Sequence, residues 1–258
     1  MIIIKTKKEI DIMRQGGRIL ARIMKRIAKE VRPGISTKDL DQMAEELIYK
    51  YKGKPSFKGY RGFPASLCVS INEELVHGIP SKNRILKNGD IISLDLGLKY
   101  KGYYTDMAVT VPVGKISKEA KKIIKVTKKA LEIGLKEIKF DKTIGDISSA
   151  IQKYVESQGF SVNRQLTGHG VGKEVHEPPL IPNYAKGSDH GVNPIGKSDR
   201  VKLVSGMTFC LEPMVNFGRP EVKTLADGWT VVTADGSLSA HFEKTVVVRE
   251  RGVEILTR

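Results

Sequence analysis

Gly89-Asp90-Ile91-Ile92-Ser93-Leu94-Asp95 and Gly206-Met207-Thr208-Phe209-Cys210-Leu211-Glu212 decide the reading of this chain, because the second stretch repeats the first and each ends an apolar run on a carboxylate. Tyr103-Tyr104-Thr105-Asp106-Met107-Ala108-Val109 repeats likewise as Ala240-His241-Phe242-Glu243-Lys244-Thr245-Val246. Asp95 therefore falls over Glu212, and Asp106 over Glu243. Strands this apolar have no packing use for acids, since an unpaired buried carboxylate costs several kcal/mol. Four acids at related positions point to one site with a cation.

The surrounding segments repeat too. Ser36 to Ile48 resembles Thr143 to Val155 in cap, apolar period and length, and Val76-His77-Gly78-Ile79-Pro80 is echoed by Val175-His176-Glu177-Pro178-Pro179. The periodicity predicts helices over Lys7 to Val31, Asp39 to about Tyr51, Ser117 to Lys139 and Thr143 to Gln158. Ser66 to Ile71 reads as a strand, and Asp90 to Leu98 with Tyr103 to Val111 as a hairpin around Lys101-Gly102. Helices followed by strands, twice, imply an α+β duplication with a curved, mostly antiparallel sheet covered by helices on one face. The expected organisation is one catalytic domain over 1–258, its halves about 1–113 and 114–258.

With 258 residues the chain can bury a large core. No apolar run has the length of a membrane span or the form of a secretory signal, and two cysteines make no disulfide framework. A reduced, monomeric cytoplasmic protein is the expectation. Lys+Arg 44 against Asp+Glu 29 gives a net charge of +15, the footprint of a nucleic-acid partner. No basic run is interleaved with aromatics, however, and the lysines of Ser117 to Lys139 are spaced as a solvated face, so a ribosome contact stays open. Pro182 to Asp199, rich in Asn, Gly and Ser, reads as a surface loop with His190 a bystander.

Symmetric pairing of the hairpin, Gly97 opposite Tyr104 and Leu98 opposite Tyr103, makes Asp95 and Asp106 direct cross-strand neighbours on one face. On that spacing alone, two acids facing solvent at a sheet edge remain the alternative. His169, in Thr167-Gly168-His169-Gly170-Val171-Gly172, changes the balance: glycines admit close approach, and neutral imidazole is a common transition-metal ligand. Four carboxylates and one imidazole match the charge of two divalent ions and suit Mn, Fe, Co or Zn.

The ordered set Asp95, Asp106, His169, Glu212, Glu243, in the contexts S-I-N-E-E-L-V-H-G-I-P, T-G-H-G-V-G, V-H-E-P-P, F-C-L-E-P-M and S-L-S-A-H-F-E-K-T, resembles type I methionine aminopeptidase over nearly the whole chain. The resemblance implies the duplicated pita-bread fold and a methionyl aminopeptidase activity that removes the first residue of newly made proteins, favouring a small second residue. It implies that Asp106 and Glu243 bridge two metal ions, that Asp95 holds one and that His169 and Glu212 hold the other. Glu212 would also accept the proton of the attacking water, His77 would attend the leaving nitrogen, and His176 would hydrogen-bond the carbonyl oxygen. Tyr60, Phe63, Cys68 and Trp229, with Val175 nearby, would form the methionine pocket. The resemblance also makes nascent polypeptide N-termini the partner.

Two positions depart from that pattern. Gly97 replaces a hydroxyl residue often found there, which argues against an auxiliary monovalent-cation site, and Val175 stands where many bacterial relatives carry an aromatic. Two other readings compete. One is an Xaa-Pro aminopeptidase or prolidase-like enzyme with the same metal set, whose members generally carry a further N-terminal domain. The other is a metal-free pita-bread protein that binds nucleic acid or peptide; such proteins commonly lose ligands, and all five are present here.

Overall fold

A computed structural model describes residues 2–185 and 198–258 of the chain. Each of its four long helices starts on a hydroxyl cap: Thr6 before α1 (Lys7–Glu30), Ser36 before α2 (Thr37–Lys50), Ser117 before α3 (Lys118–Glu137) and Thr143 before α4 (Ile144–Ser157). The likeness of the Ser36 and Thr143 segments has a physical basis. Both are capping boxes, in which the hydroxyl accepts from the third helical N–H and the acid there, Asp39 or Asp146, accepts from the cap N–H.

The strands are β1 (Lys54–Pro55), β2 (Leu67–Ile71), β3 (Glu74–Val76), β4 (Ile91–Tyr100), β5 (Tyr103–Pro112), β6 (Ser161–Val162), β7 (Gly168–Gly170), β8 (Glu177–Ile181), β9 (Thr208–Leu211), β10 (Met214–Asn216), β11 (Val222–Thr224), β12 (Val231–Thr233), β13 (Ser239–His241), β14 (Lys244–Arg249) and β15 (Gly252–Ile255). Their ladders run β1-β4-β2 with β5 beside β4, β15-β14-β9-β7-β8, β13-β10-β6 and β11-β12-β3. Every strand pairing among the described residues is antiparallel.

Strand alternation sorts the apolar runs into two faces. Ile92, Leu94, Leu96 and Leu98 of β4 pack with Leu67 and Val69 of β2 under α1 and α2, against Leu20, Ile23, Met24, Ile27, Leu40 and Ile48. In the second half, Phe209 and Leu211 of β9 and Val246 and Val248 of β14 pack under α3 and α4. The residues between, Ser93, Asp95 and Gly97 on β4 and Thr208 and Cys210 on β9, take the opposite face.

The halves meet along β5 and β14. Thr245 Oγ1 donates to Asp106 O at 2.7 Å and accepts from Asp106 N at 2.8 Å, and Glu243 N donates to Ala108 O at 2.9 Å. Thr110 Oγ1 makes the same reciprocal pair with the His241 backbone, at 2.9 and 2.8 Å. These bonds seat the acidic residues at the seam between the halves.

The hairpin register differs from the sequence expectation by two residues. Tyr100 pairs with Tyr103, so Gly97 faces Asp106 and Asp95 faces Ala108. Lys101 (φ 49°) and Gly102 (φ 88°) form a two-residue loop with both residues left-handed, the geometry whose twist suits a tight hairpin. A second correction concerns Pro182 to Asp199: Pro182, Asn183 and Tyr184 are buried, and Asn183 Nδ2 donates to Glu212 O at 2.9 Å. Residues 186–197, including His190, lie outside the described residues. No helix among the described residues is long and apolar enough to cross a membrane.

Candidate metal and substrate site

The acids gather on the face of each half turned away from that half's own helix pair, α1 and α2 or α3 and α4. On β4, Asp95 lies between Cys68 of β2 and Ala108 of β5, while Asp106 is its diagonal neighbour across Gly97. A side chain at Gly97 has no room, since a Cβ there would lie 2.7 Å from Ser56 Cβ and 2.9 Å from Phe57 Cε1. The hydroxyl residue expected from relatives is thus excluded by the Ser56-Phe57 segment. On the other side of the seam, the β9-β14 ladder ends at Leu211 opposite Lys244, leaving Glu212 and Glu243 just beyond its last pair. Oxygens of Asp95, Asp106 and Glu243 all lie within 4.8 Å of one another.

His169 reaches the same place because glycines flank it. A Cβ at Gly168 would meet Cys210 O at 2.4 Å, and one at Gly170 would meet Pro178 O at 2.4 Å, so only glycine lets β7 lie this close to β9 and β8. His169 Nδ1 lies 2.9 Å from Gly170 O. A carbonyl only accepts, so Nδ1 carries the proton and Nε2 presents its lone pair. That Nε2 is 3.5 Å from Glu212 Oε1.

Burial governs the charges. It raises Asp106, Glu212 and Glu243 well above the ordinary carboxylate range, and repulsion among the acids adds to this. Asp95 is raised to about 6 by burial, against the pull of His241 and a bond to Asp106. The same burial lowers His169 to about 3, keeping it neutral. Asp95 Oδ1 and Glu243 Oε1 are buried with no hydrogen-bond partner. Buried oxygens without donors are costly unless a cation meets them; oxygen-rich donors with one imidazole fit divalent transition metals.

Above the acids opens a cavity of about 950 Å³, lined by Tyr60, Phe63, Cys68, His77, His169, His176 and Trp229 together with the acids. Phe63 and Trp229 meet edge to face with centroids 5.1 Å apart. Val175 is buried in the same apolar cluster as Phe63 and Cys68 but does not line the cavity; it backs the wall. His176 stands exposed with its ring 4.2 Å from that of His169, and its Nδ1 is 2.9 Å from Tyr60 Oη. Loss of hydration, then Arg61 and His77, lower His176 to about 4. His77, lowered to about 4 by burial and then by His241, adopts a left-handed φ of 60°. Such backbone strain in a non-glycine residue concentrates at functional sites.

Three features went unread in the sequence. His241, 1 % exposed, has both ring nitrogens without a hydrogen bond and Nε2 3.5 Å from Glu212 Oε2. Its signal was available, since it sits two residues before Glu243. Phe57 joins the apolar cluster around Phe63 and lines the cavity. Lys5 and Glu177 form a buried ion pair beside His176, which no local pattern announces.

Residues 11–250 match the model of metallopeptidase family M24. Methionine aminopeptidase 1 of Bacillus subtilis is 53% identical over 258 residues, covering 100% of both chains. The crystal structure of methionine aminopeptidase from Thermotoga maritima superposes with a TM-score of 0.93 at 44% identity, again over 100% of both chains. Prolidase from Pyrococcus horikoshii shares the fold, with a TM-score of 0.77 at 24% identity over 99% of this chain and 63% of that one. With a metal-fitting centre and full-length likeness to these proteins, the chain belongs to metallopeptidase family M24, and within it to the methionine aminopeptidases.

Proposed function

We propose that the protein removes the N-terminal methionine from newly made polypeptides, through two divalent ions held where the acids and His169 converge. The observation that carries this is the meeting of five ligand-type side chains beneath a cavity with an aromatic wall. Asp106 and Glu243, at the seam, would hold the ions together with Asp95, His169 and Glu212. Bound ions supply Lewis acidity toward the scissile carbonyl and acidify water. Mn, Fe, Co and Zn all suit this donor set.

The remaining work falls to the chain's own groups. In the tautomer of neutral His176 in which Tyr60 Oη donates to Nδ1, the Nε2–H is left to donate to the substrate carbonyl oxygen. His77, also neutral, is poised to handle the proton of the departing nitrogen. Glu212 would take the proton of the attacking water and return it. Phe63, Trp229, Tyr60 and Cys68, backed by Val175, offer the methionine thioether soft packing and ring edges. The proposal covers one catalytic unit over 1–258, active as a cytoplasmic monomer, with the exposed lysines of α3 free to meet ribosomal RNA.

The test is methionine release from Met-Ala-Ser, Met-Leu-Ser and a Gly-Pro peptide with Mn, Fe, Co or Zn added. Cleavage of Met-Ala-Ser ahead of Met-Leu-Ser is expected. Preference for Gly-Pro would transfer the chain to the Xaa-Pro class, and inactivity with every ion would leave a binding protein.

A further inference from the structure

Cys210 is a thiol that the aminopeptidase reaction does not use. Alternation along β9 turns it to the same face as Glu212, between the apolar layer of Ile10, Met13, Val171, Val247 and Leu256 and the acids. It is fully buried and free of any disulfide. Its sulfur lies 3.6 Å from Thr245 Oγ1, and the thiol also meets the Glu243 carboxylate. Ligand atoms of His169, Cys210 and Glu243 all lie within 4.8 Å of one another, and all three residues are buried. Glu243 Oε1 has no hydrogen-bond partner, and His169 has Nε2 to offer once Nδ1 is spent on Gly170 O.

We propose that His169, Cys210 and Glu243 form a second, thiol-containing cation site selective for thiophilic divalent ions of the zinc and cadmium class. The proposal rests on reading His169 and Glu243 as metal-holding groups, and it adds a sulfur ligand to them. Tetrahedral coordination with metal distances of about 2.3 Å to sulfur and about 2.0–2.1 Å to nitrogen sets ligand atoms roughly 3.5 Å apart. The triangle therefore needs to close by little more than about an ångström at most, within reach of side-chain rotation. Binding releases the thiol proton to solvent. Sulfur prefers soft ions, whereas manganese favours the oxygen-rich pocket of Asp95, Asp106 and Glu243. The two sites share Glu243, and the sulfur site draws His169 from the paired arrangement. Occupancy by a soft ion thus competes with the ions of the peptidase centre.

The probe is cadmium, titrated into the full chain after dialysis against EDTA. The readouts are bound cadmium by elemental analysis and sulfur-to-cadmium charge-transfer absorption in the ultraviolet. The wild-type chain and Cys68→Ser should both develop the sulfur band, and Cys210→Ser should bind cadmium without it; Cys210→Thr serves as the second variant should serine destabilise the floor. Bound cadmium with no sulfur band would overturn the thiol site while leaving the carboxylate centre standing. A band lost in Cys68→Ser would assign the sulfur to the cavity wall and overturn it equally. A wild-type chain that binds no cadmium would overturn this proposal together with the metal-centre reading beneath it.

Discussion

Replacing Lys5 by methionine removes one charge from an ion pair whose members are 5 % and 4 % exposed. Lys5 Nζ donates to Glu177 Oε2, while the other oxygen of Glu177 accepts from Lys173 N at 2.6 Å and Glu174 N at 3.1 Å. Breaking a buried pair from one side costs about 3–5 kcal/mol, because the surviving charge stays buried. The two backbone donors still serve Glu177, so the lower end, about 3 kcal/mol, is expected. At roughly 2–4 °C per kcal/mol for a chain of this size, the melting temperature should fall by about 6–12 °C. Lys5→Met with Glu177→Gln removes both charges and keeps an acceptor for the two N–H groups, so most of the loss should return. Differential scanning calorimetry on the wild type, the single and the double variant decides it. A single variant within about 2 °C of wild type, or a double variant no more stable than the single, would refute the reasoning. Glu177 follows His176 directly, so peptide hydrolysis by the single variant should also fall.

Three further outcomes are expected. Asp106→Asn takes a charge from the centre of the acid cluster and should abolish methionine release and weaken metal binding, with circular dichroism unchanged; retained turnover would remove Asp106 from the site. His77→Ala should lower the rate while bound metal, counted by elemental analysis, stays at the wild-type level; full activity would end its catalytic role. The third concerns pH. Without a cation, Asp106, Glu212 and Glu243 are raised well above their ordinary values and Asp95 to about 6, so above pH ~4 the folded chain binds more protons than the unfolded one and stability falls with rising pH. His77, His169 and His176, lowered to about 4, about 3 and about 4, act oppositely, but only below their unfolded value of about 6.5. EDTA-treated protein should therefore lose stability from about pH 6.5 upward, by about 1.4 kcal/mol per pH unit for each acid still titrating. Manganese should flatten the slope in thermal melts; a stripped protein no less stable at about pH 8.5 than at 6.5 would contradict it.

Periodicity and caps made the helices and long strands legible, because each is decided within a few turns of chain. Ser36 and Thr143, for example, act on N–H groups only three residues away. The acids were legible through the repeat, and their common face through alternation. What escaped depends on the backbone's third dimension. The hairpin register hung on two left-handed residues, Lys101 and Gly102, which shift pairing by two without changing any face. Lys5 and Glu177 are 172 positions apart. Pro182 to Tyr184 look like loop residues by composition, yet Asn183 is drawn inward by the carbonyl of Glu212.

The register correction also alters what the duplication means. With the symmetric register, Asp95 and Asp106 would mirror Glu212 and Glu243 as opposed pairs, and His169 alone would break the dyad. Instead Asp95 and Asp106 are staggered by two residues across Gly97, while Glu212 and Glu243 both follow the last rung of their ladder. Asp95 thereby lies opposite Cys68 and Ala108, while the more deeply buried Asp106 lies at the seam where Thr245 holds its backbone from both sides. The stagger gives Asp95 and Asp106 different neighbours, an inequality that the opposed Glu212 and Glu243 do not share. The glycine opposite Asp106 lets Ser56 and Phe57 pack closely there. The asymmetry of the centre is therefore built into the sheet before His169 adds to it.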